Sequence, residues 1–268
     1  MTAIAQFIAI SAYIGAAALA AMPFARPIEA PRRGVIAALT LGVVAHIIAL
    51  AAFARSVGAV PLTGLGPSLS FAGLVLAVTL LIVETIAREV SLTVVAAPLA
   101  ALPTTFANIV GMVPGSEPPG ARGVWLFAHI ALSFAGIAAF ATAAAAGTMY
   151  LLQRRELRSR RFGAIFRFFP PLATLDRVNH IAAITGWIGL TLGIVLAASY
   201  SITYREMNLL QIMWGSGAWL AVSGVALGRV VGGWQARRAA IFSSVGFAAV
   251  LLLYVALRAA GPGAGKFL

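Results

Sequence analysis

The sequence predicts an all-α, polytopic transmembrane bundle of about eight spanning helices, and three observations predict it. Hydrophobic residues make up 61% of the 268 and charged ones only 10%, against about 25% charged in an ordinary water-soluble chain. Mean hydropathy is +0.98. The apolar residues gather into eight runs, at 3–22, 35–54, 67–87, 90–113, 124–152, 179–200, 209–228 and 239–257. Each reaches roughly the 20 residues that cross a bilayer core of about 30 Å, and 124–152 exceeds it. Together they fill most of the length, so residues 1–268 are expected to form a single transmembrane domain.

The first run has no basic segment before its apolar stretch, so it reads as a retained span and not as a signal peptide. The break after it carries Pro23, Arg26, Pro27, Glu29, Pro31, Arg32 and Arg33. The second run holds His46 and ends at Arg55, before Pro61, Gly64, Gly66 and Pro67. Runs three and four are separated by little more than Arg88 and Glu89, which makes a tight helical hairpin. The fourth run contains Pro98 and Pro103. Each removes a backbone donor and crowds the preceding turn, so this span is expected to be kinked or partly re-entrant, or else to carry two ordinary membrane-helix prolines. A Pro/Gly-rich break, 114–122, follows.

The fifth run continues past Gln153 as a basic helical extension bearing Arg154, Arg155, Arg158, Arg160 and Arg161. Such a segment suits anionic lipid headgroups. Gly136 and the small residues from Ala141 to Gly147 make one face of this span fit for close helix packing. Gly215, Gly217, Gly224 and Gly228 do the same for the seventh run. The tail from Arg258 is short and glycine-rich.

Arg and Lys set the orientation. Odd-numbered breaks hold 14 of them: Arg26, Arg32, Arg33, Arg88, Arg154, Arg155, Arg158, Arg160, Arg161, Arg167, Arg177, Arg229, Arg237 and Arg238. Even-numbered breaks and the tail hold 5: Arg55, Arg122, Arg205, Arg258 and Lys266. The positive-inside rule puts the odd breaks in the cytoplasm and both termini outside. The net charge of +12 is accounted for in this way, and nucleic acid is not a partner. There is no cysteine, which excludes disulfides, thiolate metal sites and covalent haem attachment to this chain.

Ionisable groups within a span cost free energy and ask for a reason. His46 lies deep in the second run, nine residues before Arg55, or roughly 13 Å at 1.5 Å per residue. His129 lies about 7–8 Å below the outer boundary of the fifth by the same rise. Both fall in the outer half of the bilayer, at depths where they can meet. Neutral imidazole ligates haem iron; the alternative is two separate histidines, each hydrogen-bonded to a neighbouring helix. His180, beside Asp176, is shallow and expected to be solvated or paired with that carboxylate. Glu84 stands four residues before Arg88, the spacing of a helical ion pair. No phosphate loop, carboxylate pair or Ser-His-Asp pattern stands out.

Several segments, in order, resemble the cytochrome c assembly membrane protein family, in particular its HemX-like branch of about eight spans. They are His46 and the apolar residues after it; the stretch from Trp125 through His129 to Phe140; Gly147 to Gln153; Phe169 to Leu172; Leu175 to Arg177; Thr191 to Gly193; and Gly233-Trp234 with Arg237 and Arg238, then Gly246 and Phe247. The resemblance implies a haem-handling protein of cytochrome c biogenesis in the bacterial inner membrane, binding haem b, lipid and membrane-protein partners. It implies His129 as an axial-ligand candidate to the haem iron, with His46 as second ligand or lining residue. The larger haem-lyase members carry a tryptophan-rich external segment ending in a Trp-Asp pair, absent from 200–219 here, so a complete haem lyase is not expected. A transporter of haem or a small hydrophobic molecule, and a non-catalytic scaffold subunit, are the alternative readings.

Overall fold

A computed structural model describes residues 2–25, 28, 31–58, 62, 64–87, 92–115, 121–160, 168–205 and 209–260. Eight helices account for nearly all of them: α1 Thr2–Ala25, α2 Arg32–Val57, α3 Leu65–Ala87, α4 Leu92–Val110, α5 Ala121–Ser159, α6 Leu172–Tyr204, α7 Leu209–Val230 and α8 Ala236–Ala260. All eight are long and apolar enough to cross a membrane, and no strand occurs among the described residues. The protein is an all-α multi-pass membrane protein. Each helix answers to one apolar run. Most extend beyond their run, because an α-helix does not stop where its side chains turn polar. Thus α5 carries Arg154, Arg155 and Arg158 on its final turns, and α6 starts at Leu172, seven residues before its run. The fourth span is continuous through Pro98 and Pro103; its 19 residues rise about 28 Å and fall within the range of spanning helices, about 17–25 residues.

The helices group into two compact units. One comprises Met1–Glu117 and Gln153–Pro171, the other Pro118–Leu152 and Leu172–Leu268. In the first unit α1 packs on α2 and α4, and α3 on α4 and α2, so four helices close a ring. Its centre is Ala9, Tyr13, Ala16, Leu39, Val43, Ala77, Leu80, Ala97 and Ala100. In the second unit α6, α7 and α8 pack on one another, and α5 lies against α6 and α8. The core there is Phe140, Ala143, Ala183, Leu190, Val222, Val225 and Ala239.

Alanine dominates both cores, while Ile4, Phe7, Ile109, Ile202, Leu252 and Val255 face outward. Lipid tails are as apolar as leucine, so burying large aliphatic groups gains little there. Helices associate instead where small residues let backbones approach and make van der Waals contact. The α5–α6 contact shows this at Gly136, where an added Cβ would lie 2.7 Å from the Leu190 nitrogen. A Cβ on Gly189 would lie 3.0 Å from the Gly136 Cα. Backbone cannot yield as a flexible side chain can. Gly136→Ala is therefore expected to force α5 off α6 and lower stability by about 1–3 kcal/mol. A drop in the thermal midpoint of the detergent-solubilised protein measures this; an unchanged midpoint would show that the contact is looser than described.

Candidate functional site

His46 is fully buried in the first unit. Its Nδ1 shares a hydrogen bond with the Tyr13 hydroxyl of α1 at 3.1 Å, and its Nε2 one with Ser70 Oγ of α3 at 2.9 Å. Gln6 Nε2 donates to the same Ser70 oxygen at 3.1 Å and to Met112 Sδ at 3.4 Å. One string of side chains thus ties α1, α2, α3 and the segment after α4. Both His46 nitrogens are spent within it. A role as iron ligand requires Tyr13 or Ser70 to release one. Gly42 makes the string possible: a Cβ there would sit 2.5 Å from a Tyr13 ring carbon.

Glu84 is also fully buried. Its Oε1 accepts from the backbone N–H of Thr93 at 3.1 Å and from Thr93 Oγ1 at 2.5 Å. Thr93 is the second residue of α4, so the carboxylate sits at a helix N-terminus whose first N–H groups have no partner within the helix. The expected partner, Arg88, lies outside the described residues.

In the second unit, Trp125, His129, Ser133 and Gly136 follow one another at helical spacing along the face of α5 that meets α6. Trp125 Nε1 donates to the Leu196 carbonyl at 3.1 Å, and its ring packs edge-on against Tyr200 and Tyr204. One turn on, His129 Nδ1 lies 2.8 Å from the Gly193 carbonyl oxygen, with Ser133 Oγ at 3.4 Å. A carbonyl oxygen can only accept, so Nδ1 carries the proton. In the neutral ring Nε2 keeps its lone pair, and it has no hydrogen bond to any described residue. The Gly193 carbonyl thereby fixes the tautomer and orientation of the ring, as backbone carbonyls do for metal-ligating histidines. The close α5–α6 approach at Gly136 and Gly189 is what brings imidazole and carbonyl within reach.

Among the described residues no group of three or more His, Cys, Asp or Glu converges to hold a metal ion. Haem iron makes a smaller demand, one or two axial ligands from the protein. His129 has one ring nitrogen without a hydrogen bond to a described residue, whereas both nitrogens of His46 are engaged.

A third polar group went unrecognised in the sequence. At the end of the second unit where α6 begins and α7 ends, Arg229 Nη2 pairs with Asp176 and donates to Asn179 Oδ1 at 2.8 Å. Asn179 Nδ2 in turn donates to the Ala143 carbonyl and to Ser243 Oγ, at 2.6 and 2.7 Å. The expected Asp176–His180 pair is replaced by Asp176–Arg229, a contact between residues 53 apart in sequence.

The cytochrome c assembly protein family model matches residues 32–264. The chain is 28% identical over 165 residues to an "uncharacterized 28.8 kDa protein in nifR3-like 5'region" of Azospirillum brasilense, which is 59% of this chain and 57% of that one. It is 25% identical over 233 residues to "cytochrome c biogenesis protein CcsA" of Prochlorococcus marinus (strain MIT 9515), 77% of this chain and 74% of that one. The match thus spans little more than half the length of the first relative and about three quarters of the second. No solved structure matches significantly.

The His46 string has a measurable order of importance. Tyr13→Phe leaves one His46 nitrogen unpaired, whereas Ser70→Ala strips a partner from both His46 and Gln6. With about 1–3 kcal/mol for each buried group left unsatisfied, Ser70→Ala is expected to be the more destabilising in thermal unfolding. The reverse order would mean that Ser70 is not the node of the string.

Proposed function

The chain belongs to the cytochrome c assembly protein family, and we propose that its part in that assembly is to hold haem within the membrane, with His129 as an axial ligand to the iron. The observation that carries this reading is the state of the His129 ring. Its Nδ1 is fixed on the Gly193 carbonyl, and its Nε2 is left with no partner among the described residues. The helix context supplies the rest. The α5–α6 glycines set the position of the ring, on a helix that is mostly apolar from Val124 to Ala146. Trp125, Tyr200 and Tyr204 close one end with an aromatic cluster of the kind that sits at a membrane interface.

The proposed cofactor is haem b, held without a covalent link, as befits a chain with no cysteine. Bound haem supplies the redox-active iron; the protein supplies the axial imidazole, its orientation and a dry setting. We place the protein in the bacterial inner membrane with its Arg-rich, odd-numbered links in the cytoplasm, which puts His129 in the outer half of the bilayer. The eight spans and the missing Trp-Asp segment favour the HemX-like branch, with thioether formation left to partner proteins. Lipid and other cytochrome c assembly proteins are the proposed partners.

A scaffold role is the second reading. The observation that favours it is that Gly215 and Gly224 of α7 have open space where a Cβ would stand, leaving room for another helix.

The test is the haem content of the purified protein, measured as the pyridine haemochrome, in the natural sequence and in His129→Ala. The reading expects stoichiometric haem b that is lost in His129→Ala, while circular dichroism shows unchanged helix content. Equal haem in both would overturn the assignment of His129. A colourless protein that takes up no added haem would favour the scaffold.

A further inference from the structure

The Asp176–Arg229 corner of the second unit holds polar atoms that its own hydrogen bonds do not satisfy. The Arg229 side chain is only 7% exposed. Its Nη2 serves Asp176 and Asn179, yet its Nε–H is buried with no partner among the described residues. His180 stands one turn after Asp176 on the same face of α6, and its Nδ1 is likewise buried and without a partner among them. Asn179 donates through its amide nitrogen to Ala143 and Ser243 and accepts at its oxygen from Arg229 Nη2, and it does not reach Arg229 Nε.

A guanidinium Nε–H can only donate, while an imidazole Nδ1 can donate or accept. What is missing is an acceptor. The surroundings are basic: Arg177, Arg237 and Arg238 are exposed on the adjoining turns, and the Arg238 guanidinium lies 4.6 Å over the Trp234 ring. Asp176 is 34% exposed and marks the open side. With 33 residues, α6 rises about 50 Å, longer than a bilayer core, so its first turns reach headgroup depth.

We propose that Arg229 and His180 form a binding site for one oxyanion group, a carboxylate or phosphate oxygen that accepts from Arg229 Nε and completes the hydrogen bonding of His180 Nδ1. Two membrane-borne molecules carry that chemistry, an anionic lipid through its phosphate and a porphyrin through its carboxylates. The porphyrin source rests on the haem reading above; the lipid source does not. The site is separate from His129 in either case. Gly193, which anchors His129, lies 14 residues beyond Asn179 on α6, roughly 21 Å along the helix.

The test uses the full chain in phosphatidylcholine nanodiscs. Metal-free protoporphyrin and its dimethyl ester are titrated by quenching of tryptophan fluorescence. In parallel, phosphatidylglycerol and phosphatidylcholine are compared for retention by native mass spectrometry. Arg229→Gln alone would strand Asp176, so the informative variant is the pair Arg229→Gln with Asp176→Asn, which removes both charges together and leaves no unpaired carboxylate. His180→Phe is the second variant. The expected result is a preference for one oxyanion over its neutral counterpart of roughly tenfold or more, the scale of one charge-assisted hydrogen bond. Both variants should reduce it, the pair to parity, and His129→Ala should leave it intact. Preference for the porphyrin diacid identifies that source, and preference for phosphatidylglycerol the other. No preference in the natural sequence, or one that survives both variants, overturns the site. Because neither probe contains iron, loss of haem binding in His129→Ala and loss of this preference are independent results.

Discussion

Inside a bilayer no water is at hand to satisfy a polar side chain, so each one within these helices must find its partner in the protein. That constraint organises both units. In the first, His46 spends both ring nitrogens on Tyr13 and Ser70, and Gln6 Nε2 joins the same Ser70 oxygen, which ties α1, α2 and α3 together. At the far end of α3, Glu84 joins the start of α4 through Thr93. In the second, Asn179 reaches α5 and α8 while Arg229 brings in α7. His129 Nε2 has no hydrogen bond to a described residue although its ring is anchored through Nδ1, and a few buried atoms, among them Gln6 Oε1, Trp187 Nε1 and Ser223 Oγ, also stand without a partner among the described residues.

Small residues make that pairing possible. Alanine and glycine at the helix contacts gain little by burial, but they bring backbones close enough for a side chain on one helix to reach a main-chain oxygen on the next. His129 reaches Gly193, Trp125 reaches Leu196 and Asn179 reaches Ala143 in this way. A bulkier contact surface would hold these groups apart. Packing and site chemistry therefore have one cause along α5 and α6.

The spans were legible in the sequence because membrane crossing demands long apolar runs, and each of the eight runs became one helix. Helix ends were less legible, since polar residues such as Arg154 and Asp176 continue a helix that hydropathy has stopped marking. His46 and His129 were visible as ionisable residues in apolar surroundings. What separates them was not visible: the partners of His46 stand 33 and 24 residues away, and the anchor of His129 is a glycine carbonyl 64 residues on. A backbone oxygen leaves no trace in side-chain identity. The Asp176–Arg229 pair was hidden for a related reason, because His180 offered a nearer partner at helical spacing while the fold supplied a distant one.

As proposed, His129 acts as a ligand and not merely as a structural residue. Haem uptake by purified His129→Gly, with and without added imidazole, tests this most directly, because a free imidazole can occupy the space the side chain vacates and restore an axial ligand. The expected result is uptake that is lost in His129→Gly and returns with imidazole. Uptake that is unaffected by the substitution, or that is lost and does not return, would contradict it.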